Sequence, residues 1–265
     1  VTDGYNAGHG LPFDSEGMKE RYPGVFFSQF TGAELVADKW NLSREDLDNF
    51  ALESHQKASH ATESKYFDRE ILPVEGKNAE GLNDLVMADE GIRFDASLDK
   101  LAGLKPVTEG GVITAGNASQ ITDGAAAVMV CNDAGLKKIK ASPRAEIVSI
   151  SVVGDDPVFM LTGPIPASFK ALESANLSIE DIDLYEVNEA FAPVPLAWAA
   201  DLKADRSKLN VNGGAMALGH PLGATGAKLM TTLLHEMERR ESTYGLQAIC
   251  EGGGTANATI IKRIS

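Results

Sequence analysis

Asn212-Gly213-Gly214-Ala215-Met216-Ala217-Leu218-Gly219-His220-Pro221-Leu222-Gly223-Ala224-Thr225-Gly226 sets glycines on both sides of a single histidine, and Leu229, Met230, Leu233, Leu234 and Met237 then follow at helical spacing. Glycine admits positive φ and close backbone approach, and Pro221 stiffens the chain ahead of the helix. The pattern predicts a rigid loop that presents His220 at a helix N-terminus. Unpaired N–H groups and a partial positive charge there suit an anionic oxygen or a thiolate, so the position favours acid–base chemistry at a developing negative charge. A Gly-rich turn around a structural histidine is the plainer alternative. No Gly-Lys-Ser/Thr makes a P-loop, and no acidic residue ends a following strand about 20 residues on, which disfavours a dinucleotide fingerprint.

The chain has 265 residues, 43% of them hydrophobic, enough to bury a sizeable core in one large or two ordinary domains. A net charge of −14 argues against binding nucleic acid or an anionic membrane. An anionic ligand must therefore meet a local basic patch. Two cysteines, Cys131 and Cys250, with no CxxC pair and no Cys/His spacing suited to zinc, give the pattern of a reducing compartment and no expected metal. No apolar run approaches the ~20 residues of a membrane helix. Without a signal-peptide layout or a Ser-Lys-Leu terminus, a cytoplasmic location is the default expectation.

Residues 1 to about 30 read as an ordered loop region rich in Gly, Pro and aromatics, among them Tyr5. Ser43-Arg44-Glu45-Asp46 predicts a helix start, and Leu47, Phe50, Ala51, Ser54 and Ala58 extend one face to about residue 63. His55 and His60 are packing or surface histidines on this reading. Ile71-Leu72-Pro73-Val74 predicts a short strand and Ser97 to about Leu104 a small helix. Arg93 is read first as an ion-pair partner of Asp89 or Asp95. Val112 to Ala115 and Ala125 to Val130 predict strands around a Gly-rich turn, and residues 248–262 repeat that plan around Glu251 to Thr255, a weak internal duplication. Cys131, at the end of an apolar strand, is expected to be buried and inert. Between the two hairpins the expected order is strand Ile147 to Val153, helix Ala167 to Asn176, a turn capped by Ser178, strand Leu184 to Val187 and helix 224–240.

His220 has company. Cys250-Glu251-Gly252-Gly253-Gly254-Thr255-Ala256-Asn257-Ala258 lies downstream and Glu186-Val187-Asn188-Glu189-Ala190-Phe191-Ala192 upstream. The three motifs, in this order, resemble the thiolases, CoA-dependent acyltransferases that make or cleave 3-ketoacyl-CoA. The resemblance covers essentially the whole chain and implies an α/β fold of two similar halves in αβαβα layers. Residues 141–265 would form a complete C-terminal half, and 109–140 the last hairpin of an N-terminal half that is otherwise mostly missing. Residues 1–108 would form a loop domain covering CoA.

The resemblance also implies roles. His220 would activate a nucleophile and help bind a thioester oxyanion, while Cys250, with its pKa drawn toward neutrality, would exchange a proton with the acetyl carbon. The Gly252 N–H would serve a second oxyanion hole, and Asn188 would hold a water facing the first. Arg93 would meet the nucleotide end of CoA, Ser119 the pantetheine, and Ala190 and Phe191 would pack beside the CoA arm; Glu189 reads as structural. CoA is a co-substrate here, no separate cofactor is implied, and the resemblance suggests a homodimer or homotetramer.

Family members carry their acyl-accepting cysteine ahead of the region matching residue 1, and neither Cys131 nor Cys250 takes that role by position. The expected activity is thiolytic cleavage of 3-ketoacyl-CoA to acetyl-CoA and a shortened acyl-CoA, with this chain alone inactive. Two departures stand out. Gln120 replaces the glycine usual after Gly116-Asn117-Ala118-Ser119, and Ser28-Gln29-Phe30-Thr31-Gly32 replaces a Met-Gly ahead of Ala33-Glu34. The second borders the acyl pocket and points to a long or bulky substrate, as in fatty-acid or sterol side-chain β-oxidation. A noncatalytic acyl-CoA-binding subunit or fragment of a split enzyme is the rival reading; a decarboxylating ketoacyl synthase is disfavoured because two histidines would be expected there.

Overall fold

A computed structural model describes Gly8, residues 13–77 and residues 81–264. Of the loop expected over residues 1 to about 30, residues 1–7 and 9–12, Tyr5 among them, lie outside the described residues. Later in that region the chain is helical: α1 spans Glu16–Arg21 and α2 Gln29–Lys39, with Ser15 and Ser28 side chains accepting from Met18 N and Phe30 N. Six residues cannot display a helical period, so capping serines are the readable signal there.

α3, Arg44–Glu63, has the expected start: Ser43 accepts from Asp46 N while the Asp46 carboxylate accepts from Ser43 N. Its inner face buries Leu47, Phe50, Ala51 and Ala58. The strand expected at 71–74 begins only at Val74, after Pro73; β1 (Val74–Lys77) pairs antiparallel with β2 (Asn83–Val86). α4 covers Leu98–Ala102 and α5 Asp133–Ile139.

The C-terminal part keeps the expected elements in order and adds two helices between the strand expected at 184–187 and the helix expected at 224–240. β3 (Ala145–Gly154), α6 (Pro164–Ala175), β4 (Leu184–Val187), α7 (Pro193–Leu202), α8 (Ala215–Leu218), α9 (Thr225–Arg240), β5 (Tyr244–Glu251) and β6 (Thr255–Arg263) succeed one another. The sheet order is β3-β6-β5-β4, with β4 parallel to β5 and the other pairs antiparallel. Leu246, Ala248 and Cys250 share a core with Ile165, Ala167 and Ala171 of α6, whereas Gly245 faces Leu233 and Met237 of α9. Alternation along β5 therefore puts the two helices on opposite faces of the sheet. The main core also takes in Ala33 and Val36 of α2 and Leu47 and Phe50 of α3, so residues 13–108 and the C-terminal sheet share one interior.

The segment 111–131 departs from expectation. Neither Val112 to Ala115 nor Ala125 to Val130 is a strand; the only ladder contacts are isolated bridges of Thr114 with Pro106 and of Ala118 with Phe191. Among the described residues no backbone hydrogen bond involves 121–131, and Met129 and Val130 are 75% and 70% exposed. Cys131 is exposed, not buried. An apolar run becomes a strand only where a neighbouring backbone completes its hydrogen bonds, and the described residues bring none to it.

Candidate active site

The glycine-rich loop is shaped by what it must pass. At Gly214 a Cβ would lie 2.2–2.6 Å from the Glu189 carboxyl, and at Gly219, with φ +86°, within 2.4 Å of Thr122. The Glu189 carboxylate is the anchor: it accepts from Ser54 Oγ at 2.7 Å, Asn210 Nδ2 at 2.8 Å and Met216 N at 3.1 Å. Burial raises its pKa, and those donors pull it back. Glu189 thus ties the Asn188 motif to the one-turn helix α8, the structural role its sequence position suggested.

That helix was not expected; His220 lies in the bend between it and α9, five residues ahead of Thr225. The opposite wall comes from residues 119–124. Gln120 O accepts from His220 N at 3.0 Å, and Gln120 Nε2 donates to Gly91 O and Met216 O, each at 2.7 Å. The departure from glycine at 120 therefore adds a side chain that links the Arg93 segment to α8.

His220 Nδ1 lies 2.6 Å from Thr225 Oγ1, whose hydroxyl donates to Pro221 O at 3.0 Å. With that proton committed, Thr225 accepts from Nδ1–H, and Nε2 keeps its lone pair. Nε2 faces Asn188 Nδ2 at 3.4 Å. Burial lowers the His220 pKa, so the ring is neutral at pH 7. Its unprotonated nitrogen is directed at the site, the condition for a general base. Thr225 was missed in the sequence; a hydroxyl five residues after a loop histidine is its only signal there.

Asn188 N donates to Ala248 O at 3.0 Å, extending the β4–β5 ladder by one step. Its side chain is near enough to Cys250 to draw the thiol pKa down in part, and its Oδ1 is buried without a partner among the described residues. His220, Asn188 and Cys250, separated by up to 62 positions, thus converge. The expected thiol pKa near neutrality is not found: burial pushes Cys250 up to about 12, assisted by Glu251 and only partly offset by Asn188. Cys250 at rest is a thiol able to donate a proton, not a standing thiolate.

Gly252 lies on the exposed β5–β6 turn two residues beyond Cys250, with open space where a Cβ would stand. Ser119 N donates to Ala190 O at 2.9 Å, which brings two predicted binding residues together. Phe191 is buried and meets Phe30 edge-on at 5.4 Å, so the unusual 28–32 segment borders it.

Arg93 makes no ion pair among the described residues; Lys100 takes Asp95 instead. The guanidinium is exposed and lines an open cavity of about 290 Å³ with His55, Ser97, Lys100, Gln120 and Met216. His55 Nδ1 accepts from Arg93 N at 3.1 Å, a buried packing role. His60 stacks edge-on against Tyr66. No cluster of three or more His, Cys, Asp or Glu suited to a metal occurs among the described residues, and no helix there is long and apolar enough to cross a membrane.

Comparison with known proteins fits this geometry. A steroid 3-ketoacyl-CoA thiolase of Mycobacterium tuberculosis is 53% identical over 251 residues, 95% of this chain and 60% of that protein. The crystal structure of the Bacillus anthracis acetyl-CoA acetyltransferase superposes with a TM-score of 0.86 at 41% identity, covering 91% of this chain and 61% of that one. Human mitochondrial 3-ketoacyl-CoA thiolase, solved in complex with CoA, gives a TM-score of 0.81 at 40% identity over 88% of this chain and 58% of its own. The chain thus spans about three fifths of the length of these relatives. The family model of the thiolase N-terminal domain matches residues 15–134, which assigns that stretch to the N-terminal domain, and the C-terminal domain model matches 141–263. With both domain models matched and three motifs meeting in one site, the chain belongs to the thiolase family.

Proposed function

We propose that these residues carry the acid–base half of a degradative thiolase, which cleaves 3-ketoacyl-CoA to acetyl-CoA and a shortened acyl-CoA. The observation that carries the reading is the His220–Asn188–Cys250 convergence, with Nε2 unprotonated and Cys250 protonated. A thiolate attacks the 3-keto carbon, the bond between C2 and C3 breaks, and the electron pair leaves on the acetyl-CoA fragment. Cys250 gives C2 of that fragment its proton; a resting thiol is the form this direction requires. His220 Nε2 takes the proton of the attacking thiol, and CoA then collects the acyl group. The orphaned Asn188 Oδ1 suits a bound water beside the oxyanion.

The attacking thiol itself is not Cys131, whose exposed place at the start of α5 is not among the residues touching His220 or Asn188. The reading therefore assigns it outside these 265 residues and leaves this chain inactive alone. The same fact favours the second reading, an acyl-CoA-binding subunit that works with another chain. Arg93 and Lys100, cations at the mouth of the cavity in an acidic protein, fit the phosphates of CoA, with Ser119, Ala190 and Phe191 along its arm and Gly252 N–H in the second oxyanion hole. On this division residues 1–108, most of which lie within the N-terminal domain match, cover CoA, 109–140 close that N-terminal domain and 141–265 form the C-terminal half. A cytoplasmic homodimer or homotetramer belongs to the same reading.

The test uses the full-length gene product. His220→Ala and Cys250→Ala are each expected to lower kcat for thiolysis by about 10²–10⁴-fold with little change in Tm. A small loss of rate that tracks a loss of stability would overturn the reading. Long-chain or sterol-derived 3-ketoacyl-CoA is expected to exceed acetoacetyl-CoA in kcat/KM; the reverse order would reject the bulky-substrate assignment.

A further inference from the structure

Behind the site, β4 and β5 hold an unexplained pair. Glu186 and Gln247 are register partners in the parallel ladder, and each is buried, at 2% and 4% exposure. Both carry a buried oxygen with no hydrogen-bond partner among the described residues, Glu186 Oε2 and Gln247 Oε1. Two bare acceptors side by side in an interior cost the full desolvation of each. One proton satisfies both, because a protonated carboxyl donates to the amide oxygen.

We propose that Glu186 is a positioning residue: its protonated carboxyl donates to Gln247 Oε1 and clamps β4 to β5 just before they deliver Asn188 and Cys250. The groups facing it are few. Lys228 of α9 favours its ionisation, while Glu236 of the same helix, Glu70 from the loop after α3 and Glu189 from the loop after β4 oppose it. Burial is the largest influence and raises the carboxyl to about 8. Above that pH Glu186 has no proton to donate, Gln247 Oε1 is left bare beside a carboxylate, the clamp opens, and Asn188 shifts relative to Cys250.

Glu186→Gln keeps a donor and cannot ionise, so it separates the clamp from bulk packing. The folded chain holds the Glu186 proton up to about pH 8, whereas an ordinary glutamate releases it near 4.5. Wild-type stability should therefore fall relative to Glu186→Gln as pH rises through that window, and the two curves should run parallel outside it. Infrared difference spectra of ¹³C-glutamate-labelled wild type and Glu186→Gln, taken at pH 7, should show one protonated carboxyl that the variant lacks. Neither measurement needs turnover. The kinetic arm rests on the thiolase reading and uses the full-length enzyme: Glu186→Gln should keep kcat within about twofold at pH 7 and lose part of the alkaline decline, whereas Glu186→Ala should lower kcat about tenfold or more at unchanged KM. An ionised Glu186 at pH 7, as a Gln247 amide turned to donate would produce, overturns the clamp, as does an alkaline limb identical in wild type and Glu186→Gln. Absence of thiolysis in wild type, with the infrared and stability differences present, would instead remove the functional reading and leave the clamp standing.

Discussion

Two stretches of this chain have the same written plan and opposite fates. Residues 244–263 form a buried hairpin; residues 112–130, likewise apolar runs around a turn that contains glycine, form no strand and stand in solvent over their second part. Ile260 is fully buried between Leu246 and Ser149, with a paired strand on each side, whereas Val130 has no backbone partner among the described residues. The two cysteines divide in the same way, Cys250 buried in the ladder and Cys131 exposed beyond it. Apolarity and turn residues state what a strand could be; the neighbouring backbone decides whether it is one.

The largest expected effect separates the two hairpins by stability. Ile260→Ala should cost about 2–5 kcal/mol in denaturant unfolding, and Val130→Ala within about 0.5 kcal/mol in this chain. Equal costs would break the contrast. Repeating Val130→Ala in the full-length gene product sharpens it, because a cost approaching that of Ile260→Ala would mark a strand partner gained there. A smaller effect separates the thiols. Cys131 should react with a disulfide reagent in the native chain at pH 8, and Cys250, buried and raised to about 12, only after unfolding. Two equivalents of fast-reacting thiol would contradict the burial of Cys250.

The same contrast explains what could be read in advance. β4, α3 and α9 were legible because a cap, a period or a short apolar run bounded by turn residues is local information. α7 was not: it is buried on nearly every side, so it shows no amphipathic period, and Pro193 and Pro195 obscure its start. The convergence of His220, Asn188 and Cys250 was legible through the family resemblance, since each motif names its own residue. What escaped is what only spatial neighbours settle. Thr225 fixes the tautomer of His220, Gln120 braces the loop from about 100 positions away, Arg93 has no ion pair among the described residues because Lys100 takes Asp95, and burial raises Cys250 where a lower pKa was expected.

The claim beneath the functional reading is that His220 and Cys250 serve one reaction as a unit. Steady-state thiolysis by full-length wild type, His220→Ala, Cys250→Ala and the double variant, measured as a cycle, tests it most directly. The account predicts that the double variant is about as slow as the slower single one, because removing either partner already disables the unit. Losses that multiply across the cycle would mean two independent contributions and would contradict it.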